Sequence, residues 1–505
     1  MLPRTYLRIS QTLLAWAALL IFYFACLSHT VLEIDIWHQL ALAREIVRCG
    51  HVPIEDVFAF TPTVKPAIHH EWGAGMAAYA ALRMWGAGGL LAIKYALGFG
   101  LLGILVGILR RQSIPPGLMM LCLPVGFILL QRGFTTLRPQ MYSLCFTALL
   151  LWFLRMDRNG NRGWRYVWPF LFVVWINLHG GFLIAFGLLG AYGLECFLDR
   201  RPWRPVAVLL LIQAGLLALT PYGLAYYPFW WHALTGLERQ YLTDWRPLYT
   251  WWTEGQARFP FVVYLLSAAA AILGFLRAAS WPAGRFEILL LGAAAFFCQR
   301  LVFFYALAWL AYVPLALRPC RMGKAVQAVW EKYPLLWIIV SLSVFFSFGR
   351  FLLARQPFEV LIPGARLERY GDHPIYPVGA ADYLRRLGFK GNLMVYFAQG
   401  SYVAWNLYPH VRIAADDRYE AAYPEWIIEE NFQLYDQAKD YERILAAYRV
   451  DGVLVPQRCS LAKALRKDPR WQAVYTDPEY AIYVSAGAGY PLEKHAQVMP
   501  WGSLP

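Results

Sequence analysis

The stretch LEIDIWHQLALAREIVRCGHVPIEDVFAFTPTVKPAIHHEW (residues 32–72) directly follows the first long apolar run of the chain. Its chemistry rests on acidic and imidazole side chains, namely Asp35, His38, Asp56, His69, His70 and Glu71. An acid, a short amphipathic helix and an acid–imidazole cluster beside a membrane form an unusual combination for a purely structural loop. The stretch therefore predicts the catalytic loop of a polytopic membrane protein.

The composition of the chain is that of a membrane protein. Of its 505 residues, 59% are hydrophobic and only 15% are charged, whereas soluble domains carry about 25% charged residues. The net charge of +14 rests on arginines in short loops between apolar runs. This pattern is typical of a topology signal and not of a nucleic-acid groove. We therefore expect a membrane protein with no nucleic-acid partner.

The apolar runs predict eleven transmembrane helices. A span needs about 20 apolar residues, or fewer where a helix is short or broken. Such runs lie at residues 11–31, 88–109, 115–131, 140–154, 166–178, 181–198, 205–220, 259–276, 286–299, 301–317 and 335–354. Residues 73–85 are too short and too mixed in character to span, so a re-entrant or interfacial helix is expected there.

The basic residues predict the orientation of the chain. Arginines and lysines concentrate in one set of loops, for example at Arg110, Arg111, Arg155 and Arg158. The positive-inside rule makes these loops cytoplasmic. We therefore expect a multi-pass protein of the inner (plasma) membrane with a cytoplasmic N-terminus and an extracytoplasmic C-terminal domain.

The predicted fold class is a polytopic α-helical membrane protein with a C-terminal extracytoplasmic α/β domain. The transmembrane domain covers residues 1–354, and its first extracytoplasmic loop, at 32–87, carries interfacial helices. From 355 to 505, short helices alternate with strands, which is the pattern of a small α/β domain. Helical segments are expected there at 380–387, 401–407 and 424–448, and strands at 392–397, 411–415, 452–456, 471–475 and 480–484.

Asp35 is the first candidate for chemistry. It could cap the helix that follows, by accepting hydrogen bonds from the backbone of the first turn. Alternatively it is a general base, which takes the proton of an acceptor hydroxyl or amine during attack on the anomeric carbon of a sugar. His38 lies three residues further and shares a helix face with Asp35. Glu33 is the reserve carboxylate.

The HHEW sequence at 69–72 forms a second group of polar side chains. Together with Asp35 or Asp56, its two imidazoles and Glu71 could ligate a divalent cation, because both ligand types suit such ions. The adjacent histidines lack the i, i+4 spacing of a helical zinc site. Hydrogen bonds to a sugar or phosphate explain the group equally well, so no residue is assigned as a metal ligand.

Further polar residues lie at the outward ends of the apolar runs. The planar guanidinium forks of Arg132, Arg138 and Arg300 suit a phosphate group, although arginines near helix ends also snorkel toward lipid headgroups. Other candidates for substrate contacts are Asp56, His69, Asn177, His179 and Asp244.

These motifs together resemble the GT-C superfamily of integral-membrane glycosyltransferases, in particular uncharacterised bacterial members. The matching stretches are D-x-W-H (35–38), G-x-x-P-x-x-D-x-F (50–58), H-x-W (70–72), R-P-Q (138–140), N-x-H-G-G (177–181), TPYG (220–223) and D-W-x-P (244–247). The last two depart from the family pattern, because Thr220 replaces an asparagine and Asp244 replaces a glutamate.

The resemblance implies a transferase that uses a polyprenyl-phosphate-linked sugar donor, like protein O-mannosyltransferases and aminoarabinose transferases. It makes Asp35 the catalytic acid of the first loop, while His38, His70 and Glu71 position the substrate. The chain lacks the WWDxG motif of oligosaccharyltransferases, and its loop 131–140 has no acid where metal-dependent relatives carry a second carboxylate motif. We expect sugar transfer to a lipid, glycan or protein acceptor. The alternative is a polytopic transporter or a lipid or glycan flippase.

Overall fold

The structure, a computed structural model, describes residues 4–235, 245–255, 257–277, 282–366, 373–493, 496–497 and 499–504. These residues form α-helices and a five-stranded sheet. The helices are α1 (Arg4–Leu27), α2 (Asp35–Cys49), α3 (Trp72–Trp85), α4 (Ala87–Arg111), α5 (Pro116–Phe134), α6 (Gln140–Arg158), α7 (Trp164–Ile176), α8 (Leu183–Leu198), α9 (Arg204–Leu216), α10 (Tyr226–Thr235), α11 (Thr250–Thr253), α12 (Arg258–Leu276), α13 (Arg285–Phe297), α14 (Val302–Leu317), α15 (Arg321–Lys332), α16 (Pro334–Arg355), α17 (Val378–Arg386), α18 (Phe397–Leu407), α19 (Glu425–Gln437), α20 (Tyr441–Ala447) and α21 (Ser460–Leu465). The strands are β1 (Gly391–Val395), β2 (Val411–Ile413), β3 (Gly452–Pro456), β4 (Trp471–Thr476) and β5 (Tyr480–Ser485).

The chain divides into two compact units. The first, called the helical unit below, comprises Met1–Thr30, Ala92–Leu219 and Gly236–Phe358. The second, called the α/β unit, comprises Val31–Leu91, Thr220–Thr235 and Glu359–Pro505. The stretch 32–72 thus clusters with the C-terminal part of the chain, although more than 280 residues separate them in sequence.

The apolar helices agree with a multi-pass membrane protein. Each of the eleven predicted runs overlaps a helix. Among the helices that the structure describes, seven are long and apolar enough to cross a membrane, namely Thr5–Leu27, Ala87–Arg111, Pro116–Phe134, Gly180–Leu198, Arg258–Leu276, Gln299–Leu317 and Pro334–Arg355. Others are shorter, such as α7 and α13 with 13 residues each. The number of spans and the side of the membrane that each end faces therefore stay predictions.

The helical unit has a central helix and a peripheral one. The segment Gln299–Leu317 contains α14, and 83% of the residues in its most apolar stretch are buried. In the corresponding stretch of Pro334–Arg355, which is α16, only 11% of the residues are buried. Both segments are apolar on all sides. The apolar surface of a central helix packs against other helices, whereas that of a peripheral helix in a membrane protein contacts lipid. The contrast separates a helix of the core from one that packs mainly against α1.

A buried ion cluster links four helices of the helical unit. Arg158, at the end of α6, donates hydrogen bonds to Glu195 of α8 at 2.9 Å and to Glu287 of α13 at 2.5 Å. It also donates to the Tyr312 hydroxyl of α14 at 2.8 Å. The three charged side chains are at most 4% exposed. Such a cluster ties the helices together because each charge, once buried, needs its partner.

The sheet of the α/β unit has the strand order β2-β1-β3-β5-β4. Its first three strands are parallel, and β5 pairs antiparallel with both β3 and β4. All five predicted strands are present. The single helix predicted at 424–448 is wrong, because α19 ends at Gln437 and α20 begins at Tyr441. Ala438 and Asp440 adopt positive φ angles of 53° and 50°, which no continuous α-helix contains.

Two backbone contacts place the first-loop stretch within the α/β unit. The Phe60 amide donates to the Ile413 carbonyl and the Ile413 amide donates to the Phe58 carbonyl, both at 3.0 Å. The loop thereby covers the outer edge of β2. An uncovered edge strand would expose unpaired backbone groups, so this pairing gives the loop a defined register beside the sheet.

Candidate active site

The turn that follows β2 carries three charged residues, Asp416, Asp417 and Arg418, which serve two different purposes. Arg418 is buried, and its Nε donates to Asp416 at 2.8 Å. Its other nitrogens donate to the Tyr423 hydroxyl at 3.1 Å and, in a shorter contact, to Asp56 of the first loop. The turn lies at the carboxyl end of a parallel strand, where open α/β sheets commonly place ligand-binding residues.

Asp56 has its carboxylate oxygens engaged by the protein. One oxygen accepts from the backbone amides of Phe58 at 3.0 Å and Ala59 at 2.7 Å, and the other binds Arg418. Burial would raise the pKa of Asp56, but the Arg418 charge and the Ala59 amide outweigh it and the pKa is lowered. These contacts give Asp56 a structural role in the buried ion cluster, and its predicted contact with substrate stays a prediction.

Asp417 is directed toward the first-loop helix. Its Oδ2 lies 3.5 Å from Nδ1 of His38, and the Ser401 hydroxyl donates to its Oδ1. Gly400 makes this approach feasible, because a Cβ at that position would overlap the Ala415 carbonyl. The Asp417 side chain is 2% exposed, whereas His38 retains 15% exposure. The pair thus joins α2 to the turn after β2 and leaves the imidazole accessible.

The protonation of this pair is shifted by its surroundings. Burial raises the pKa of Asp417 to about 6, although the facing His38 lowers it. Burial alone would lower the pKa of His38, but the carboxylates of Asp417, Asp416 and Glu71 reverse this and the pKa is raised. A carboxylate and an imidazolium therefore coexist near neutral pH, and their titration is shared.

Asp35 is the first residue of α2, and Ile34 occupies the N-cap position without a side-chain cap. An acid in the first turn is stabilised by the helix dipole. Asp35 lies one helical turn before His38, so the two share a face. Its charge acts on both Asp417 and Tyr376. Asp35, His38 and Asp417 are thus brought together within the α/β unit.

Glu71 precedes α3 and is held beside α2. Nε2 of Gln39 donates to Glu71 at 2.8 Å, and Nε2 of His70 lies 3.6 Å from the same carboxylate. The helices pack closely because Gly75 has no side chain: a Cβ there would lie 2.8 Å from the Gln39 carbonyl. The Glu71 charge also contributes to the raised pKa of His38, so the two groups of the first loop form one electrostatic cluster.

An aromatic surface borders His70. The His70 ring lies 5.8 Å from the ring of Phe229 and 5.5 Å from that of Trp230, both in α10. The Tyr222 hydroxyl accepts a hydrogen bond from the His69 amide at 2.8 Å, which ties this segment to the first loop. Aromatic rings beside hydrogen-bonding groups suit the apolar face and hydroxyls of a sugar ring.

His69 itself is buried, unlike its neighbour His70. Burial, followed by the positive charge of Arg418, lowers the pKa of His69 to about 3. The imidazole is therefore neutral at physiological pH. A neutral imidazole can still donate to or accept from a hydroxyl group, so the predicted contact of His69 with substrate stays a prediction.

The remaining predicted residues belong to the helical unit. Arg132 lies over the Trp251 ring at 4.8 Å, and Arg300 lies over the Trp245 ring at 5.6 Å. Arg138 is half-buried just before α6. Both arginine–tryptophan contacts are cation–π pairs. Asp244 lies outside the described residues.

Asn177 and His179 have well-defined local roles. Nδ2 of Asn177 donates to the Val173 carbonyl at 2.9 Å. Nδ1 of His179 accepts from the Gly181 amide at 2.8 Å and lies 2.7 Å from the Ser143 hydroxyl. His179 thereby caps the short 3-10 helix Gly180–Phe182. These contacts explain the NLHGG sequence as a helix start, and the predicted substrate contacts stay predictions.

Sequence reasoning left several residues of this cluster unassigned. Asp417, Ser401 and the aromatic residues of α10 were absent from the predicted site. Their partners lie far away in sequence: 379 positions separate His38 from Asp417. One signal could have indicated Asp417, namely its place at the carboxyl end of a strand, but an acid pair beside an arginine also suits a salt-bridged turn. That interpretation holds for Asp416 and Arg418.

The described residues contain no group of three or more His, Cys, Asp or Glu side chains arranged to hold a metal ion.

Comparison with known proteins gives one kind of likeness. No protein-family model matches the chain, and no curated protein matches its sequence significantly. Among solved structures, the crystal structure of ArnT from Cupriavidus metallidurans in the apo state matches with a TM-score of 0.54 and 12% identity, over 93% of this chain and 97% of that chain. At this identity the likeness concerns the fold. The expected resemblance is confirmed at that level, because the chain shares the fold of ArnT.

Proposed function

We propose that the chain is a membrane glycosyltransferase of the GT-C type. It moves a sugar from a polyprenyl-phosphate-linked donor to a lipid, glycan or protein acceptor on the outer face of the inner membrane. The observation that carries the proposal is the cluster of Asp35, His38, Glu71 and Asp417 in the α/β unit. The apolar helices and the ArnT-like fold support it.

Asp35 acts as the general base in this proposal. The acceptor hydroxyl or amine attacks the anomeric carbon of the sugar and gives its proton to the Asp35 carboxylate. The bond between the anomeric carbon and the phosphate oxygen breaks, and the electron pair leaves with the polyprenyl phosphate. A base is needed because a neutral hydroxyl is a weak nucleophile, and such catalysis contributes about 10²- to 10⁴-fold.

The sugar ring is held by the first loop and α10. Glu71 accepts hydrogen bonds from sugar hydroxyls, while the Gln39 amide keeps its carboxylate in place. His70 lies between this carboxylate and the rings of Phe229 and Trp230. An aromatic ring face fixes the plane of a sugar, and a carboxylate fixes its rotation within that plane. Holding the sugar in the reactive orientation lowers the barrier of the reaction.

The donor phosphate is assigned to arginine side chains, as the sequence predicts. Arg138 and Arg300 are proposed to hold its oxygens, with Arg132 as a further cation. Their guanidinium groups stabilise the charge that develops on the leaving group. The contacts of Arg132 and Arg300 with tryptophan rings support this, because cation–π packing orients a guanidinium without neutralising it.

The experiment that tests the proposal follows release of polyprenyl phosphate, which does not require the acceptor to be known. The purified chain in lipid vesicles is incubated with synthetic polyprenyl-phosphate hexoses and a membrane lipid extract, and the product is quantified by mass spectrometry. We expect Asp35→Asn to lower the rate about 10²- to 10⁴-fold. Glu33→Gln, two residues away, is the matched control and should retain activity.

Two results would contradict this assignment. Wild-type rates in Asp35→Asn would remove Asp35 as the base, and selective loss in Glu33→Gln would move that role to Glu33. Transport of the lipid across the vesicle bilayer without release of polyprenyl phosphate would instead support the flippase alternative.

A further inference from the structure

We propose that Asp417 is a positioning residue of the transfer reaction: it binds Nδ1–H of His38 and thereby aims the Nε2–H of the imidazolium at an oxygen of the leaving phosphate. The inference rests on the proposed function and deepens it. It gives the C-terminal part of the chain a direct share in the chemistry of the first loop.

The geometry of the pair supports this role. The two side chains come from different elements, α2 and the turn after β2, and their nearest ring nitrogen and carboxylate oxygen are 3.5 Å apart. Ser401 of α18 holds the other carboxylate oxygen. Ser401 therefore holds the Asp417 carboxylate in place, while the His38 side chain is 15% exposed. A carboxylate at this nitrogen sets which ring nitrogen of a histidine carries a proton and how the ring is oriented.

Asp417 is not required as a counter-ion for Arg418. That arginine already binds Asp416, Asp56 and the Tyr423 hydroxyl. Within the described residues, Oδ2 of Asp417 accepts no close hydrogen bond. A buried carboxylate oxygen without a donor is costly, so a purely structural turn gains little from this acid. The imidazole of His38 is the cationic group that the structure places within 4 Å.

The charged groups around the pair come from every element packed against it. His38 faces Asp417 and Asp416 from the turn and Glu71 from the start of α3. It also acts on the His69 imidazole, whose pKa is lowered to about 3 mainly by burial. Asp417 faces His38 and Asp35 from α2 and its neighbour Asp416. The carboxylates around His38 stabilise its protonated form, and the charges of Asp35 and Asp416 disfavour a negative charge on Asp417. The pair is accordingly ionised between about pH 6, where Asp417 loses its proton, and the raised pKa of His38.

The proposed step needs no proton transfer to the phosphate. As the anomeric C–O bond breaks, negative charge grows on the phosphate oxygens, and a hydrogen bond from the His38 imidazolium becomes stronger. The acceptor proton goes to Asp35, as above. The rate should therefore require ionised Asp417 and protonated His38, and it should fall on both sides of this pH window.

The test compares pH profiles of polyprenyl phosphate release for the wild type, Asp417→Asn and the control Glu429→Gln, an exposed acid of α19. Loss of the carboxylate lowers the pKa of His38, so the alkaline limb should move to lower pH. The acidic limb near pH 6 should disappear. We expect kcat to fall about tenfold or more with little change in KM, because the hydrogen bond strengthens only in the transition state. Glu429→Gln should keep the wild-type profile.

Ser401→Ala provides a second variant that keeps every charge. Without the hydroxyl bond the carboxylate is less stable, the pKa of Asp417 rises, and the acidic limb should move to higher pH. A fold defect would lower the rate at all pH values and leave the limbs in place, which would count against the inference.

A measurement without turnover separates this inference from the proposed function. The His38 signal in ¹⁵N-histidine NMR spectra of the full chain in micelles is assigned with His38→Asn and titrated in the wild type and Asp417→Asn. A lower pKa of His38 in the variant supports the pairing, and an unchanged pKa overturns it. A chain that releases no polyprenyl phosphate contradicts the proposed function, and the titration still decides whether Asp417 holds the His38 proton.

Discussion

Two arginines occupy nearly the same environment in the two units. Arg158 of the helical unit binds Glu195, Glu287 and a tyrosine hydroxyl. Arg418 of the α/β unit binds Asp416, Asp56 and a tyrosine hydroxyl. The difference is the additional acid beside Arg418: Asp417 is directed at His38.

This difference distinguishes buried charges that only stabilise the fold from a buried charge that is available for chemistry. Two acids and a hydroxyl meet the needs of one buried guanidinium, so both arginine clusters are explained by the joining of chain segments. A third acid in the same turn is not explained in this way. It lies at the carboxyl end of a strand, next to a partly exposed imidazole, where a binding function is common. Arg418 is therefore explained by structure, and Asp417 is the acid for which we propose a chemical role.

The largest expected effect comes from removal of either arginine. Arg158→Met and Arg418→Met should each lower the free energy of unfolding by about 3–5 kcal/mol, because each change removes a charged partner from buried carboxylates. Chemical unfolding in mixed micelles measures this. Only Arg418→Met should also change the titration of His38, since the acids that act on His38 belong to the α/β unit.

A charge-balanced variant sharpens this prediction. Replacement of the whole cluster as Asp56→Asn, Asp416→Asn and Arg418→Met should cost less than Arg418→Met alone, because no unpaired charge is left buried. A triple variant that is less stable than the single one would mean that the ion pairs themselves contribute most of the stability.

A smaller effect is expected from Gly400→Ala, which tests the close approach behind Asp417. The added methyl group would meet the Ala415 carbonyl, and such overpacking costs about 1–3 kcal/mol. Displacement of α18 should also weaken the Ser401 contact and move the acidic limb of the pH profile upward. Gly88→Ala is the control, because nothing lies within 4 Å of its added methyl group; an equal loss in both variants would argue against a specific contact.

The smallest effect is expected at an exposed ion pair of the α/β unit. Nζ of Lys65 lies 3.1 Å from Oε1 of Glu55, and the two side chains are 67% and 65% exposed. Lys65→Met should change the free energy of unfolding by less than about 1 kcal/mol, because solvent screens the pair. A loss of stability comparable to that of Arg418→Met would show that burial does not control how much an ion pair contributes to stability.

The fold could be predicted from sequence where the signal is local. Apolar run length located eleven of the described helices and alternating patterns located all five strands, because both signals depend on neighbouring residues. Run length did not locate α15, which is amphipathic and rich in basic residues. The helix at 424–448 was wrong since a reversal at Ala438 and Asp440 has no strong local signature. The number of spans needs the membrane position, which run length alone does not provide.

For the site, the sequence by itself determined the chemical inventory: the acid and imidazoles of the first loop, the arginines at helix ends and the motifs of a GT-C-like chain. Only the tertiary structure decided how these groups are used. It buried Asp56 against Arg418, made His69 neutral and placed Asp417 beside His38. The physical reason is that ionisation and hydrogen bonding depend on distance and burial in space, and residues 379 positions apart in the chain share one electrostatic environment.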